Sequence, residues 1–374
     1  MDKEKIVHLT SVHNPFDNRI FHKQCKSLAG AGFSVALIAP GEKNQVVEGV
    51  FIRALPKPKN RIIRMLLTSI GILKAAAAEK GQVYHLHDPE LIWVGLLLRL
   101  KKKTVIYDVH EDYESSIALK EYIPRVLRPI AASILGGLEQ KLSRFFTVIL
   151  AEKYYIKRFP RGVLILNYPD KARFSWTDKP HLEASRPKLL YTGNISEDRG
   201  ALIYPKILKS MKQVELFLVG RCSGKLAQEM YQLAGEEKHR LHIAGIDKHV
   251  PFDEIMNYYK RGGWTAGLAI FPATEHYLNK ELTKFFEYMG AGIPVICSDF
   301  KAWRNLIEKT GCGIGVNPND TEEINAAVNY LINNPEKAAE MGNKGREAVR
   351  ESYNWENEEN KLIKLYEQLI YGDS

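Results

Sequence analysis

Short apolar runs alternate with segments of helical periodicity from one end of the chain to the other. In the first half, runs rich in β-branched residues predict strands at Ile6–Thr10, Ser34–Ala39, Val83–Leu86, Thr104–Tyr107, Thr147–Leu150 and Val163–Leu166. The segments between them predict helices at Arg19–Ala31, Arg61–Glu79 and Val126–Leu142. Strands that are apolar throughout and separated by helices are typical of buried parallel sheets. The first half therefore predicts an α/β fold with a doubly wound parallel sheet.

The alternation of strand and helix patterns stops at residues 167–186, where prolines and charged residues replace it. It then restarts, and new strands are predicted at Lys188–Tyr191, Val214–Val219, Leu241–Ala244, Ala266–Phe271, Pro294–Ser298 and Gly313–Val316. We therefore predict two Rossmann-like domains, residues 1–168 and 187–354, with a linker at 169–186. The last helix, about 355–371, is expected to pack back on the first domain. Ligands bind such sheets at the carboxyl ends of the strands, so the site is expected in a cleft where the two domains face each other.

Composition narrows the class of protein. The chain has 374 residues and 45% apolar content, enough for two cores of ordinary domain size. No stretch reaches the roughly 18 apolar residues of a membrane span. The charged N-terminus does not read as a secretion signal. The four cysteines are scattered, which favours reduced thiols over a disulfide framework or a zinc site. A cytoplasmic protein is expected.

The positive charge is unevenly distributed. The formal net charge is +9, and residues 1–170 carry 26 Lys and Arg against 16 Asp and Glu, which gives +10. The excess thus lies in the N-terminal half. An anionic membrane surface, a phosphorylated substrate or nucleic acid would each explain it, and so would a solvated surface with no partner.

One stretch in the second half carries recognisable chemistry, the string TKFFEYMGAGIPVICSD at residues 283–299. It predicts a helix that begins near Leu282 and ends at a pair of glycines before a buried strand. Unpaired N–H groups at a helix start attract anions such as a diphosphate, and Lys284 in the first turn adds a full charge. Glu287 lies on the same helix face and can accept hydrogen bonds from ribose hydroxyls. A plain surface Lys/Glu pair is the alternative.

Four further segments along the chain carry recognisable patterns: VHNPFDNRIF at 12–21, YDVHE at 107–111, YTGNISEDRG at 191–200 and YNWE at 353–356. With the string at 283–299 they resemble the retaining family 4 glycosyltransferases of the GT-B fold, the bacterial group 1 glycosyltransferases. The similarity runs over nearly the whole chain. It implies two Rossmann-like domains, with the acceptor bound by the first and a nucleotide-sugar donor bound by the second.

The resemblance also implies roles for individual residues. Donor-binding positions are Gly193, Asn194, Asn279, Glu281, Leu282, Thr283 and Glu287, and the catalytic groups are Arg199, Lys284 and His110. Acceptor-binding positions are His13, Asp17, Arg19, Asp88 and Glu111. Each also has a structural interpretation: Arg199 as a solvated loop cation, His110 as a helix cap, and Asp17 with Arg19 as an N-cap and first-turn pair.

Two positions depart from the family pattern. The usual first glutamate of a pair eight positions apart is Asn279 here, and the usual arginine after the first loop glycine is Asn194. These changes leave open a nucleotide-sugar-binding protein with weak or lost catalysis. A nucleotide-sugar epimerase of the same fold is a further alternative. A dinucleotide-dependent oxidoreductase would need G-x-G-x-x-G after the first strand, and residues 11–16 contain no glycine.

The expected chemistry requires no metal and no cofactor. Breaking the bond from sugar C1 to the phosphate oxygen leaves negative charge on the diphosphate, and Arg199, Lys284 and helix N–H groups would stabilise it. No Asp-x-Asp triplet occurs in the sequence, which fits metal-free catalysis. The resemblance implies retention of configuration by front-face attack, and a UDP-sugar is favoured over a GDP-sugar.

Basic and apolar residues are combined in three N-terminal segments, Lys57–Lys74 with Arg61 and Arg64, Tyr122–Leu135 with Arg125 and Arg128, and Leu91–Lys103. Helices of this kind can lie in a membrane interface, which predicts a peripheral protein with a glycan or lipid-linked, cell-envelope acceptor. The alternative is that the apolar faces simply cover the first sheet. Nucleic acid is not expected, because the clusters lack interleaved aromatic residues.

Overall fold

The computed structural model describes residues 3–57, 67–110, 128–174 and 186–372. The chain divides into two compact units, which are treated one at a time below. Unit 1 comprises Met1–Asn167 and Trp355–Ser374, and unit 2 comprises Tyr168–Asn354. Most of the predicted linker, residues 175–185, lies outside the described residues.

Unit 1 is built on one sheet, to which the described residues contribute eight strands. They are β1 Lys5–Leu9, β2 Ser34–Pro40, β3 Gln45–Val47, β4 Val50–Leu55, β5 Val83–Leu86, β6 Thr104–Val109, β7 Thr147–Leu150 and β8 Val163–Leu164. Their order is β3-β4-β2-β1-β5-β6-β7-β8, and the pairing is parallel except between β3 and β4. The order reverses at β1, which lies between β2 and β5. Such a switch point opens a crevice at the carboxyl end of the strand.

Helices cover both faces of this sheet. They are a π-helical segment Ile20–Cys25, α1 Lys26–Gly30, α2 Ser69–Glu79, α3 Ile92–Leu100, α4 Arg128–Ser143 and the C-terminal helix Trp355–Tyr371. One apolar cluster joins α2 and α3 to the sheet, and a second joins α1 and the C-terminal helix to its other face. Trp355 Nε1 donates a hydrogen bond of 3.0 Å to Ser27 Oγ, which fixes the start of the C-terminal helix on unit 1.

The edge hairpin β3–β4 was not among the predicted strands. Its two-residue turn consists of Glu48 with φ of 49° and Gly49 with φ of 79°. Two successive positive φ values give the turn type that matches the twist of paired strands, and glycine at the second position favours it. The signal was present in the sequence VVEGVFI at residues 46–52, where a Glu-Gly pair separates two short apolar runs.

Unit 2 contains a second parallel sheet. Its described strands are β9 Lys188–Thr192, β10 Glu215–Cys222, β11 Leu241–Ile246, β12 Ala266–Ala269, β13 Val295–Ser298 and β14 Gly313–Val316, in the order β11-β10-β9-β12-β13-β14. The helices are α5 Tyr204–Ser210, α6 Gly224–Ala234, α7 Phe252–Arg261, α8 Glu275–Leu278, α9 Thr283–Ala291, α10 Lys301–Thr310, α11 Thr321–Asn333 and α12 Pro335–Glu351. The switch point is β9, between β10 and β12. The predicted class, two Rossmann-like α/β domains with parallel sheets, is confirmed.

Among the helices formed by the described residues, none combines the length and the apolar character needed to cross a membrane.

Candidate functional site

The loop after β9 leaves the second sheet at its switch point. Gly193 has φ of 99° and Gly200 has φ of 79°, left-handed values that favour glycine. A Cβ on Gly200 would lie 2.0 Å from the carbonyl oxygen of Ile270, so only glycine fits against the chain that follows β12. The two glycines therefore set the path of the loop that carries Arg199.

Arg199 is held in place by a tyrosine that the sequence did not point to. The residue ends a 3₁₀ turn, Glu197–Arg199, and its Nε donates a 3.1 Å hydrogen bond to the hydroxyl of Tyr277. That hydroxyl in turn donates to Asp198 Oδ2 at 2.7 Å. Burial raises the pKa of Tyr277 to about 12, so the phenol stays protonated and keeps both contacts. The guanidinium is thereby oriented while its other N–H groups have room for further acceptors.

Lys284 lies in the first turn of α9, and only 8% of the residue is exposed. Its Nζ lies 3.6 Å from the ring centroid of Tyr191 and 5.0 Å from that of Phe271, distances typical of cation–π contacts. Within the described part of the chain Nζ has no hydrogen-bond partner. Burial, and next the charge of Arg199, lower the pKa of Lys284 well below its usual value, although Glu287 opposes the shift.

The Lys284 ammonium also lies beside Gly193, because a Cβ on that glycine would be 3.7 Å from Nζ. The loop after β9 and the start of α9 therefore meet around two cations. Bringing a second positive charge close to a buried ammonium is unfavourable in the absence of an anion. The arrangement is that of a site for an anionic group.

Glu287 lies one turn further along α9. Its Oε2 accepts a 2.8 Å hydrogen bond from the hydroxyl of Tyr259 on α7. The same hydroxyl lies 2.7 Å from Oγ1 of Thr192 at the end of β9. The Thr192 amide donates a 3.0 Å hydrogen bond to the hydroxyl of Tyr288. This network orients the carboxylate at the switch point, where polar groups of a ligand would reach it.

The other predicted donor-binding residues are spread around the start of α9. Leu282 occupies the N-cap position and is buried, while Thr283 and Glu281 are half-buried. Asn279 is exposed at the end of α8. Asn194 is also exposed, and it borders a separate cavity of about 420 Å³ lined by Arg221, Ser223 and Lys225 among others. Arg199, Lys284 and Gly193 are thus brought together, whereas Asn194 borders a different cavity.

Unit 1 contains a buried ion pair between Arg19 and Asp108. Arg19 donates to both oxygens of Asp108, from Nε at 2.9 Å and from Nη2 at 2.8 Å, and Gln24 adds a 2.9 Å bond to Oδ2. Arg19 is 5% exposed and Asp108 1%. Burial alone would raise the pKa of Asp108, but the charge and hydrogen bonds of Arg19 and the neighbouring His87 ring, with Nδ1 at 3.3 Å, hold it well below the usual range.

His110 follows β6 and meets residues from the other strand ends. Its Nε2 lies 3.0 Å from Nε2 of His13, and its Nδ1 lies 3.2 Å from the carbonyl oxygen of Asp108. His13 Nε2 lies 3.5 Å from Oδ1 of Asp88. Burial lowers the pKa of His110, Asp108 opposes this, and His13 lowers it further. The imidazole is therefore neutral at neutral pH and can donate or accept a hydrogen bond.

The remaining acceptor-binding candidates have local partners. Asp88 accepts hydrogen bonds from the Thr10 hydroxyl at 2.8 Å and the Ser11 amide at 2.6 Å. Asp17 Oδ1 accepts from the amides of Arg19 and Ile20, at 2.8 and 2.9 Å, and so caps the helical segment. Burial would raise the pKa of Asp17, but hydrogen bonds from His13 and from these amides lower it. Glu111 lies outside the described residues.

The sequence analysis missed several residues that contact the candidate site residues in unit 2 and in unit 1. Tyr259 and Tyr277 lie far along the chain from their partners and carry no local motif. The histidines His8, His85 and His87 had a weak signal, since YHLH at 84–87 places two of them on one face of a strand.

Family models match both halves of the chain. The model described as "Glycosyltransferase Family 4" matches residues 18–160. The model described as "Glycosyl transferases group 1" matches residues 173–348. The matched segments contain the switch point of unit 2 at β9 and the residues Arg199, Lys284 and His110.

Similar proteins cover nearly the whole chain. A phosphatidyl-myo-inositol mannosyltransferase of Mycobacterium leprae is 23% identical over 361 residues, which are 92% of this chain and 90% of the relative. Among solved structures, a sucrose-phosphate synthase from Thermosynechococcus elongatus has a TM-score of 0.76 at 18% identity and covers 99% of this chain and 100% of its own. The Anabaena HepE protein in complex with UDP and glucose has a TM-score of 0.74 at 13% identity, covering 98% of this chain and 100% of its own. At such identities the likeness of the structures concerns the fold.

Proposed function

The chain belongs to the family 4 (group 1) glycosyltransferases of the GT-B fold, and from that membership we propose that it transfers a sugar from a nucleoside-diphosphate sugar to a glycan or lipid-linked acceptor. A UDP-sugar is the favoured donor and a GDP-sugar the second choice. The diphosphate binds in unit 2, at the loop after β9 and the start of α9.

The unpaired ammonium of Lys284 is the observation that carries this proposal. It is buried among aromatic rings, close to Arg199, and Nζ has no hydrogen-bond partner in the described part of the chain. A diphosphate would supply the missing negative charge and accept charge-assisted hydrogen bonds from both cations. The N–H groups at the start of α9 would add to the attraction.

Glu287 supports the nucleotide half of the proposal. The hydrogen bond from Tyr259 orients the carboxylate, and a carboxylate is a suitable acceptor for ribose hydroxyls. Contacts of this type strengthen binding equally in ground and transition states, so they act on affinity more than on turnover.

The proposed chemistry is retaining and independent of metal. The acceptor oxygen forms a bond to sugar C1 on the face from which the diphosphate oxygen departs, and the acceptor proton passes to that departing phosphate. Arg199 and Lys284 stabilise the charge that develops on the leaving group. Neutral His110 is assigned a hydrogen bond to a hydroxyl of the donor sugar. No enzyme nucleophile is required.

A membrane-linked acceptor is supported by the surface of unit 1. On α3 and α4, which contact each other, large apolar side chains are exposed: Trp93, Leu97, Leu100, Ile130, Ile134 and Leu138. Exposed Lys101, Lys102, Lys141 and Arg144 lie at the ends of these helices. Apolar faces with adjacent basic residues can bind anionic lipid surfaces, and this supports the proposal that the enzyme acts peripherally at the cytoplasmic face of a membrane. The basic positions 61, 64 and 125 lie outside the described residues.

Vesicle binding tests this surface. Sedimentation with anionic vesicles, lost with neutral vesicles and weakened by salt, is expected for the parent chain. The double variant Ile134→Ser and Leu138→Ser should reduce it, and the control Tyr330→Ser, an exposed aromatic on α11 of unit 2, should not. Equal binding to neutral vesicles, or none at all, would contradict the proposed membrane contact.

Donor binding is tested by thermal stabilisation with UDP, GDP and their sugars, because a ligand that binds only the folded state raises the melting temperature. Lys284→Met should abolish the shift, while the exposed control Lys301→Met should retain it. A shift that survives Lys284→Met would reject the assignment of this lysine.

Asn279 and Asn194 favour a second candidate, a nucleotide-sugar-binding protein with little catalysis. Slow hydrolysis of the bound donor separates the two. A transferase releases free sugar and nucleoside diphosphate from its donor, whereas a binder returns the nucleotide-sugar intact.

A further inference from the structure

Three histidines form a buried layer inside unit 1. His8 lies on β1 and is paired in register with His85 on the neighbouring strand β5. His87 follows two positions later and therefore points to the same face of the sheet. All three are at most 1% exposed. Ring centroids lie 4.7 Å apart for His8 and His85 and 4.4 Å apart for His85 and His87.

Some ring nitrogens of these three histidines have no hydrogen-bond partner among the described residues. His8 Nδ1 lies 2.9 Å from His87 Nε2, and His85 Nδ1 lies 2.7 Å from the hydroxyl of Tyr366 on the C-terminal helix. The Nε2 atoms of His8 and His85 are buried without a hydrogen-bond partner among the described residues. Buried polar atoms are almost always paired, so each such atom calls for an explanation.

Each of these rings offers ligand chemistry suited to a metal. A neutral imidazole has one N–H and one lone pair, and it is the form that coordinates metal ions.

His85 already has the kind of partner that metal-bound histidines use, since its Nδ1 lies 2.7 Å from the Tyr366 hydroxyl and can donate to it. Ligating histidines usually donate the N–H of the second nitrogen to a carboxylate or another oxygen, which fixes the tautomer and turns the other lone pair towards the metal. This leaves Nε2 of His85 available. Nδ1 of His87, which lies 3.3 Å from Asp108 Oδ2, is also buried without a hydrogen-bond partner among the described residues.

We propose that His8, His85 and His87 form a binding site for one divalent transition-metal ion of the zinc or cobalt type. One ligand atom from each ring lies within 4.8 Å of those of the other two. An all-imidazole set suits zinc, copper, nickel and cobalt and disfavours magnesium and calcium, which prefer oxygen ligands. When the ion binds, the proton shared by His8 Nδ1 and His87 Nε2 moves to the other nitrogen of one of these two rings. The site therefore does not have to release a proton to solvent.

A second grouping, His87 with Asp108 and His110, is less suited to hold the ion, although its ligand atoms also lie close together. The oxygens of Asp108 already accept from Arg19 and Gln24. The Arg19 cation at this carboxylate would repel a second positive charge. Asp108 is therefore not assigned as a ligand of the ion.

The ion would be structural. It would join β1 and β5 and, through Tyr366, would tie the C-terminal helix to the sheet of unit 1. It is not part of the diphosphate site, so the proposed metal-independent transfer and this site stand or fall separately.

Metal titration of the full-length, untagged, chelator-treated chain tests the site. One Co²⁺ per chain is expected, with visible absorption bands that Zn²⁺ abolishes by competition, and magnesium should not compete. X-ray absorption of the zinc form should show imidazole nitrogens at about 2.0–2.1 Å. Zinc should also raise the melting temperature, a readout that needs no substrate.

Three variants locate the ion. His85→Gln should remove the stoichiometric site, and Tyr366→Phe should weaken affinity by about 10–100-fold, the usual effect of losing the partner of a ligating histidine. His239→Gln, at an exposed histidine of unit 2, should change neither. If His85→Gln fails to fold, Tyr366→Phe decides, because it keeps the aromatic ring. Absence of stoichiometric binding to the parent chain, or binding that Tyr366→Phe leaves unchanged, would overturn the proposal.

Discussion

Both units bury a cation beside a parallel sheet, but they neutralise it differently. In unit 1 Arg19 is 5% exposed and forms two hydrogen bonds with the carboxylate of Asp108. In unit 2 Lys284 is 8% exposed, and Nζ contacts aromatic rings without a hydrogen-bond partner in the described part of the chain. A buried charge that is hydrogen-bonded to a counter-ion within its own unit stabilises the fold, whereas a buried charge without such a bond is suited to bind a ligand.

Breaking the pair in unit 1 should give the largest effect on stability. Asp108→Asn leaves the Arg19 charge buried without a counter-ion, and such a change costs about 3–5 kcal/mol of unfolding free energy. Denaturant unfolding would measure the loss. Asp253→Asn, at an exposed aspartate on α7, is the control and should cost little. A cost below that of the control would mean that the pair contributes nothing to folding.

The same pair should make unit 1 sensitive to acid. The pKa of Asp108 is lower in the folded state than its unfolded value of about 3.9. Its contribution is therefore fully present above about pH 4 and is lost as the pH falls through the folded-state pKa. Unfolding free energy measured against pH should fall in this range for the parent chain, and the slope should be shallower in Asp108→Asn.

Removing the charge of Lys284 in unit 2 should lower turnover strongly and leave stability unchanged or higher, the reverse of the change in unit 1. Lys284→Met should lower turnover about a hundredfold or more, because charge stabilisation of the leaving diphosphate is lost. The same change should leave the ligand-free protein as stable as before or more so, since a buried ammonium without a counter-ion is costly. Arg199→Ala should lower turnover similarly. Turnover of Lys284→Met at the parent's rate, in a folded protein, would contradict the proposed role.

Nucleotide affinity should depend on pH through Lys284. Its pKa is lowered in the free protein, and a bound diphosphate would raise it, so binding takes up a proton between the two values. Affinity for UDP should therefore decrease as the pH rises through this range, and calorimetry in buffers of different ionisation enthalpy should detect the proton. Lys284→Met should lack this dependence. A flat profile in the parent chain would mean that the diphosphate does not bind beside Lys284.

Glu287→Ala should have a smaller effect, confined to binding. Loss of ribose contacts is expected to raise the KM for the donor with little change in kcat, since the contacts are the same in ground and transition states. Steady-state kinetics with a saturating acceptor measures the two separately. Asn279→Ala is the matched control from the same motif, and an equal effect there would assign the contact to the wrong residue.

The smallest expected effect is that of chelation. Brief treatment with EDTA should leave turnover unchanged, and manganese or magnesium should not increase it, because Arg199 and Lys284 take the place of a metal at the diphosphate. Turnover lost on chelation and restored by manganese would contradict this, whereas a lower melting temperature restored by zinc would concern the histidine site of unit 1.

The fold was largely predictable because its signal is local. Apolar runs at intervals predicted every described strand of both sheets except β3 and β4, where the Glu48-Gly49 turn divides one apolar segment into two short pieces. The prolines and charges near residue 170 marked the change of unit. The helix at Lys284 and the loop at Arg199 were found because glycines and charges occur there at fixed spacings.

The partners of these residues were not predictable in the same way. Tyr277 holds Arg199 from a position 78 residues away, and Tyr259 holds Glu287 from 28 residues away. Neither tyrosine has a special sequence context. Which side chains reach a switch point depends on strand order and register, and these are decided by packing of the whole sheet.

The sequence by itself determined the class of fold, the family and the short segments that carry the charges of the diphosphate site. Only the tertiary structure decided that Arg19 and Asp108, 89 residues apart, neutralise each other. It also decided that Lys284 Nζ has no hydrogen-bond partner among the described residues and that three histidines share one buried layer. The reason is physical: a motif fixes the residue type and its local backbone, but the free energy of a buried charge depends on every group that folding brings within a few ångströms of it.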